Sequence, residues 1–311
     1  MRLSQNRGEV KRFPPITVDV YRGDTVESRH TLAAALVDAN GHLLESYGEP
    51  DVVTFWRSSA KPVQAKPWVD DGTIDYWHWG QRELAIICAS HVGSPEHAEL
   101  VRRMLADLGL DETALLCDNE LKARHNCSGN HTGMLAASVR HGWDLATYQH
   151  LDHPTQQACL RAVSELTDLP VEKIALGIDG CGIVVWATPI TAMATAYARL
   201  PQAVPRVADA MRAYPVLVEG EGELATVVMQ SFAGTVSKCG AEGLGCVSLP
   251  DGRGIALKAL DGGGRAVTSA LPALVARCLG VEVPEAALAC VHRPVTNDVG
   301  RVVGRLDPRL P

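Results

Sequence analysis

Strand patterns near both ends of the chain, with helical patterns between them, constrain the fold more than any other feature. Residues 16–22 and 31–38 alternate or run apolar, and Asn40-Gly41 ahead of Leu43-Leu44 is a hairpin signal. Residues 245–249 and 254–259 read as strands joined through Pro250-Asp251-Gly252, where proline and glycine suit a tight turn. Between these regions Ser94-Pro95 opens a helix. Its Leu100, Val101, Met104, Leu105 and Leu108 share one face before Gly109 closes it. The spacing also predicts helices over 132–141, 152–166, 190–199 and 204–213, strands at 174–178 and 183–188, and later helices near 267–279 and 284–290. A sheet supplied from both ends with helices inserted is an α/β chain of the α+β type: an antiparallel β-sheet flanked by helices, plus a helical lobe. The expected organisation is one domain over residues 1–311. Its sheet part takes about 16–57 and 228–300, and its helical middle about 58–215.

Composition narrows the function classes. A net charge of −7 without a basic run argues against nucleic acid as a partner. No stretch of about 18 uninterrupted apolar residues predicts a membrane span. Met1 to Pro15 is polar and lacks the apolar core of an export signal, so a cytoplasmic protein is expected. The nine cysteines are scattered with no Cys-x-x-Cys pair, and read as reduced thiols, mostly in the core.

The stretch from Phe55 to Ala65 carries the sharpest chemistry. The apolar run Val52–Trp56 reads as a buried strand that stops at Ser58-Ser59, both good helix caps, ahead of a helix with Pro62 in its first turns. Ser58 and Lys61, three apart, share a face of that turn, so a hydroxyl sits near an amine that can take its proton. The plainer alternative is a capped helix with a snorkelling lysine. Only seven lysines stand against 22 arginines, so each is worth placing. Lys258 ends a strand before Asp261-Gly262-Gly263-Gly264 and could be a second cation beside Lys61, or an ordinary hairpin lysine. Ser90, after a buried run, could relay protons or simply lead into a helix. His91 is a candidate acid or base, whereas His97 reads as a solvated helix residue. The polar stretch His125 to Met134 leads into a helix and could offer N–H donors or metal-binding groups. Asp179, in a Gly-rich turn, could hold a substrate ammonium or serve the turn alone.

Taken together, Arg57-Ser58-Ser59-Ala60-Lys61-Pro62-Val63-Gln64, Ala89-Ser90-His91, His125-Asn126-Cys127-Ser128-Gly129, His131-Thr132-Gly133-Met134-Leu135, Gly177-Ile178-Asp179-Gly180-Cys181-Gly182 and Lys238-Cys239-Gly240-Ala241-Glu242-Gly243 occur in this order. This resembles the asparaginase II-like family, the third structural class of L-asparaginases, over about residues 16 to 300. The resemblance implies a fold similar to serine β-lactamases and glutaminases, usually as a homodimer. It implies two Ser-Lys pairs, Ser58-Lys61 and Ser90-Lys258, with Arg57 and Asp179 clamping the substrate. His91, Asn126 and Gly129 are expected beside the substrate. It also implies a zinc near the site, held by Cys127 and Cys239. Three departures stand out: Asn130 where the family has a metal-site lysine, the acidic Glu219-Gly220-Glu221-Gly222-Glu223 in place of an arginine and an aspartate, and Thr31-Leu32 in place of Arg-Gly after His30. With Asn130 a weak ligand, zinc is expected to be weakly bound and not required.

The expected activity is hydrolysis of the side-chain amide of L-asparagine, or a similar small amide, through an acyl-enzyme. The alternatives are a β-lactamase-like amide hydrolase and a family member that binds an amino acid without turnover.

Overall fold

The computed structural model describes residues 9–311; the polar start read over residues 1–8 lies outside them. Strands β1 (Lys11–Phe13), β2 (Ile16–Arg22), β3 (Thr25–Val37) and β4 (Leu43–Tyr47) open the fold, and β5 (Val53–Phe55) follows. A 3₁₀ turn, Arg57–Ala60, runs into α1 (Lys61–Gln64), α2 (Lys66–Asp70), α3 (Thr73–Tyr76), α4 (Gln81–Ile87), α5 (Pro95–Asp107), α6 (Ser128–His141) and α7 (Pro154–Thr167). The chain continues through β6 (Ala175–Ile178), β7 (Val184–Pro189), α8 (Ile190–Ala203), α9 (Pro205–Ala213), α10 (Pro215–Val218) and α11 (Leu224–Ser231). It closes with β8 (Val236–Gly240), β9 (Leu244–Ser248), β10 (Gly254–Ala259), α12 (Gly264–Leu279), α13 (Glu285–Val291), β11 (Pro294–Thr296) and β12 (Val302–Arg309).

Among the described residues the larger sheet has nine strands in the order β11-β12-β2-β3-β10-β9-β8, with β4 beside β3 and β1 parallel to β4. All its other pairings are antiparallel. Side-chain alternation divides its two faces. Ala33, Ala35 and Val37 of β3 join one apolar cluster with the helical lobe, and Leu32, Ala34 and Leu36 join a second cluster with α11 and α12. The sheet is therefore the middle of three layers, as the α/β reading with an antiparallel sheet and flanking helices predicts.

Two readings change. The run Val52–Trp56 is not a buried strand of the main sheet. β5 pairs with β7 in a separate sheet ordered β5-β7-β6, and its Val53 and Phe55 are exposed. An apolar run looks the same whether one or both of its faces are covered, and here only one is. The last strand, β12, lies beyond the region read as sheet and pairs with β2 at Leu306↔Val20 through Arg309↔Thr17.

Candidate active site

The 3₁₀ turn Arg57–Ala60 lies against the free edge of β8, and Gly240 permits the approach. A Cβ at Gly240 would stand 2.8 Å from the Trp56 carbonyl oxygen and 3.4 Å from the Ser59 nitrogen. Arg57 holds a left-handed backbone, φ +47°, unusual for a residue with a side chain and commonest where a loop must aim a functional group. Ser58 follows directly. The serines are not side-chain caps: the turn begins at Trp56 without a side-chain hydrogen bond, and Ser59 Oγ donates back to the Trp56 carbonyl at 2.6 Å.

Ser58 and Ser90 line one cavity of about 710 Å³. Beneath them Lys61 is almost wholly buried, 2% exposed, and its Nζ has three hydrogen-bond partners. These are the Ala89 carbonyl at 2.6 Å, Ser90 Oγ at 2.9 Å and Cys127 Sγ at 3.2 Å. Lys61 thus meets Ser90 directly, while Ser58 sits on the preceding turn with its hydroxyl in no hydrogen bond among the described residues. Cys127 is the third of these partners. A hydrogen bond with Cys181, followed by the Lys61 charge and His125, holds it well below the usual thiol range despite burial. The same bond and burial push the Cys181 thiol up.

Arg57 Nε donates to Asp179 Oδ1 at 2.9 Å, and the Gly180 N–H donates to the same oxygen at 2.6 Å. The two expected clamps are therefore together, side by side at the mouth of the β5-β7-β6 sheet. Asn126 lines the cavity, and its carbonyl accepts the His91 N–H.

Other expected site residues are placed elsewhere. Lys258 does not meet Ser90; it donates to the carbonyls of Glu242 at 2.8 Å and of Ala259, on a buried stretch of β10. His91 has no ring nitrogen left for a substrate. Nδ1 accepts the Gly93 N–H at 3.1 Å, Nε2–H donates to Ser128 Oγ at 3.0 Å, and the ring stacks on His97. His97 is buried rather than solvated, with Nε2–H donating to the Val216 carbonyl at 3.1 Å. Gly129 serves packing: a Cβ there would meet the Ile86 carbonyl oxygen of α4 at 2.1 Å, so α6 could not approach.

Cys127 lies with Cys181, Lys61 and His125, whereas Cys239 lies beside Glu219, Lys238 and Cys246. Among the described residues no three His, Cys, Asp or Glu side chains are arranged to hold a metal. Asn130 is buried, with its Nδ2 donating to the Ile87 carbonyl at 3.2 Å. The implied zinc therefore finds no three-ligand site among the described residues.

Lys238 and Glu219 were quoted from the sequence only within longer runs and given no role, yet they form a buried pair, of which Glu219 lines the cavity. Lys238 is 0% exposed, with Nζ 2.8 Å from Glu219 Oε1; Glu219 Oε2 accepts the Ala225 N–H at 3.0 Å. The Val218 and Glu219 carbonyls accept the N–H groups of Ser90 and Val92, so this pair anchors the Ser90 segment. The acidic segment that departs from the family pattern thus neutralises a buried lysine. The signal was present in Lys238-Cys239-Gly240, a lysine two residues before the glycine that admits the serine turn.

Burial holds His91 neutral, at about 3 against an ordinary value near 6.5. The unfolded chain binds the proton more readily, so this stabilisation is complete above pH 6.5 and is lost as pH falls toward 3. At pH 5.5 the loss is about 1.4 kcal/mol. Urea midpoints at pH 7.5 and 5.5 should show a smaller pH loss in His91→Asn than in the native chain; equal losses would contradict the assignment.

The family model described as L-asparaginase II matches residues 18–308. No curated protein matches the chain. Among solved structures, a β-lactamase from Mycobacterium bovis is similar at 14% identity and a TM-score of 0.39, covering 80% of this chain and 94% of that one. No helix among the described residues is long and apolar enough to cross a membrane.

Proposed function

The chain belongs to the L-asparaginase II family, and on that premise we propose that it hydrolyses the side-chain amide of L-asparagine to L-aspartate and ammonia with Ser58 as nucleophile. The observation that carries this reading is Lys61, buried and hydrogen-bonded to Ser90 in the floor of the cavity that Ser58 lines. The Arg57–Asp179 pair suits an amino acid, because a zwitterion can replace each partner by its own opposite charge. The α-carboxylate takes the Arg57 fork and the α-ammonium takes Asp179.

The side-chain carbonyl then lies over Ser58. The Ser58 proton passes through the Ser90 hydroxyl to Lys61 in its neutral form, while Oγ bonds the carbonyl carbon. Developing oxyanion charge falls where backbone N–H groups of the serine turn meet the β8 edge, a setting in which one donor is often worth about 3–4 kcal/mol. The proton returns through Ser90 to the nitrogen, the C–N bond breaks and ammonia leaves. Water then cleaves the β-aspartyl ester by the reverse route. No step runs through a metal. The protein is proposed to act in the cytoplasm as a homodimer.

Ammonia release from L-asparagine, L-glutamine and a chromogenic β-lactam tests the reading, before and after treatment with a chelator. Turnover is expected with asparagine and is expected to survive chelation. Opening of the lactam alone would favour the β-lactamase-like alternative, and binding of asparagine without ammonia the non-catalytic one.

A further inference from the structure

The cavity is far larger than the leaving group of asparagine. Ammonia needs about the 30 Å³ share of a water molecule, whereas the space beside Ser58 and Ser90 measures about 710 Å³. The aspartyl part does not account for it. Arg57 and Asp179 belong with the β5-β7-β6 sheet and do not line the cavity, whose walls come from β8 and from the starts of α11 and α12. With the aspartyl head at Arg57 and Asp179, the cavity is left for whatever is attached to the amide nitrogen.

Two cations face that space, Arg265 in the first turn of α12 and Arg293 just before β11. Arg265 is held in place. Its Nε donates to His30 Nε2 at 2.9 Å, and His30 Nδ1–H donates to Asp261 at 2.5 Å. Arg265 Nη2 also reaches Ser28 Oγ, a long contact at 3.5 Å, and the remaining donors of the fork can receive a carboxylate. Of the cavity's two carboxylates, Glu219 is neutralised by Lys238, which leaves Glu223 against two arginines.

We propose that the enzyme also cleaves β-aspartyl amides whose amine carries a carboxylate, β-aspartyl dipeptides being the simplest, with Arg265 and Arg293 binding that carboxylate. The inference rests on the asparaginase reading, since it uses the same acyl-enzyme. Ser58 Oγ bonds the β-carbonyl carbon, the C–N bond breaks, and the amino acid leaves as an amine that takes its proton from Lys61 through Ser90. Water then splits the ester, giving aspartate and the free amino acid. No other reactant is consumed.

The test measures product release from L-asparagine, β-aspartylglycine and β-aspartylglycinamide by the native protein, Arg265→Gln and Arg293→Gln. Both β-aspartyl compounds should be cleaved. Each variant should raise KM for β-aspartylglycine by about ten-fold, the loss of one good charged contact. Asparagine and the uncharged glycinamide should change by no more than about two-fold. Should Arg265→Gln disturb the start of α12, asparagine turnover reports it, and Arg293→Gln reads the same subsite with the His30 contact intact. Asparagine cleaved but β-aspartylglycine left whole overturns this inference alone. Equal cleavage of both β-aspartyl compounds by all three proteins overturns the arginine assignment. If none of the three compounds is cleaved, the asparaginase reading falls together with it.

Discussion

Ser58→Ala should lower kcat for ammonia release from L-asparagine by about 10³-fold or more, and Lys61→Met by a similar factor. The double variant should be little worse than either, because nucleophile and proton acceptor work as one unit. Ser59→Ala should lose far less, since the Ser59 hydroxyl is tied to the Trp56 carbonyl and buried. Ser90→Ala tests the relay. Lys61 reaches Ser90 at 2.9 Å, so its loss should lower kcat while an acyl-enzyme on Ser58 still forms slowly and shows by mass spectrometry. Acylation found on Ser90 in the native protein, or a Ser58→Ala enzyme keeping more than about a tenth of the rate, would reverse the two serines' roles.

Lys238→Met should destabilise the fold by about 3–5 kcal/mol, because it strands the Glu219 carboxylate in a buried wall. Glu219→Gln alone should cost less, as an amide oxygen can keep the Ala225 N–H bond. Combining Lys238→Met with Glu219→Gln should recover much of the loss, since no buried charge is left unpaired. The readout is the urea midpoint at constant slope. Activity should fall with Lys238→Met as well, because the Val218 and Glu219 carbonyls hold the Ser90 segment. A single variant as stable as the native chain would show that water reaches the pair and that Ser90 is held by other contacts.

The elements were legible from the sequence wherever one pattern dominated. β2 and β10 begin and end where alternation places them, and α5 follows its apolar stripe. The three-residue spacing of Ser58 and Lys61 was legible, but the hydrogen bonds of Lys61 go to Ala89, Ser90 and Cys127. The meeting of Lys61 with Ser90 was not legible, since 29 residues separate them and only the packing of α1 against the Ala89–Ser90 turn sets the distance. The surroundings of Lys258 were not legible for a related reason. Lys258 lies on β10, an inner strand with β3 and β9 on its sides, whereas β8 is the edge beside the serine turn. Strand order is a long-range property that local spacing does not carry. His91 was misjudged because a histidine in a polar-looking stretch gives no hint that both ring nitrogens are already engaged.

The pairing of β2 with β12, and of β3 with β10, also governs the order of events as the chain is made. Strands near residue 20 must wait for partners near residue 306 to leave the ribosome, so the sheet cannot close during most of synthesis. The middle of the chain is richer in local contacts and can condense first. Lys61, Ser90 and Cys127 can thus gather early, but the β8 edge, the α12 turn and Arg293 arrive last. A nascent chain would hold its serine and lysine together with no pocket around them. Hydrolytic competence would appear late and abruptly, and β2 and β3 would meanwhile be the segments most in need of a chaperone.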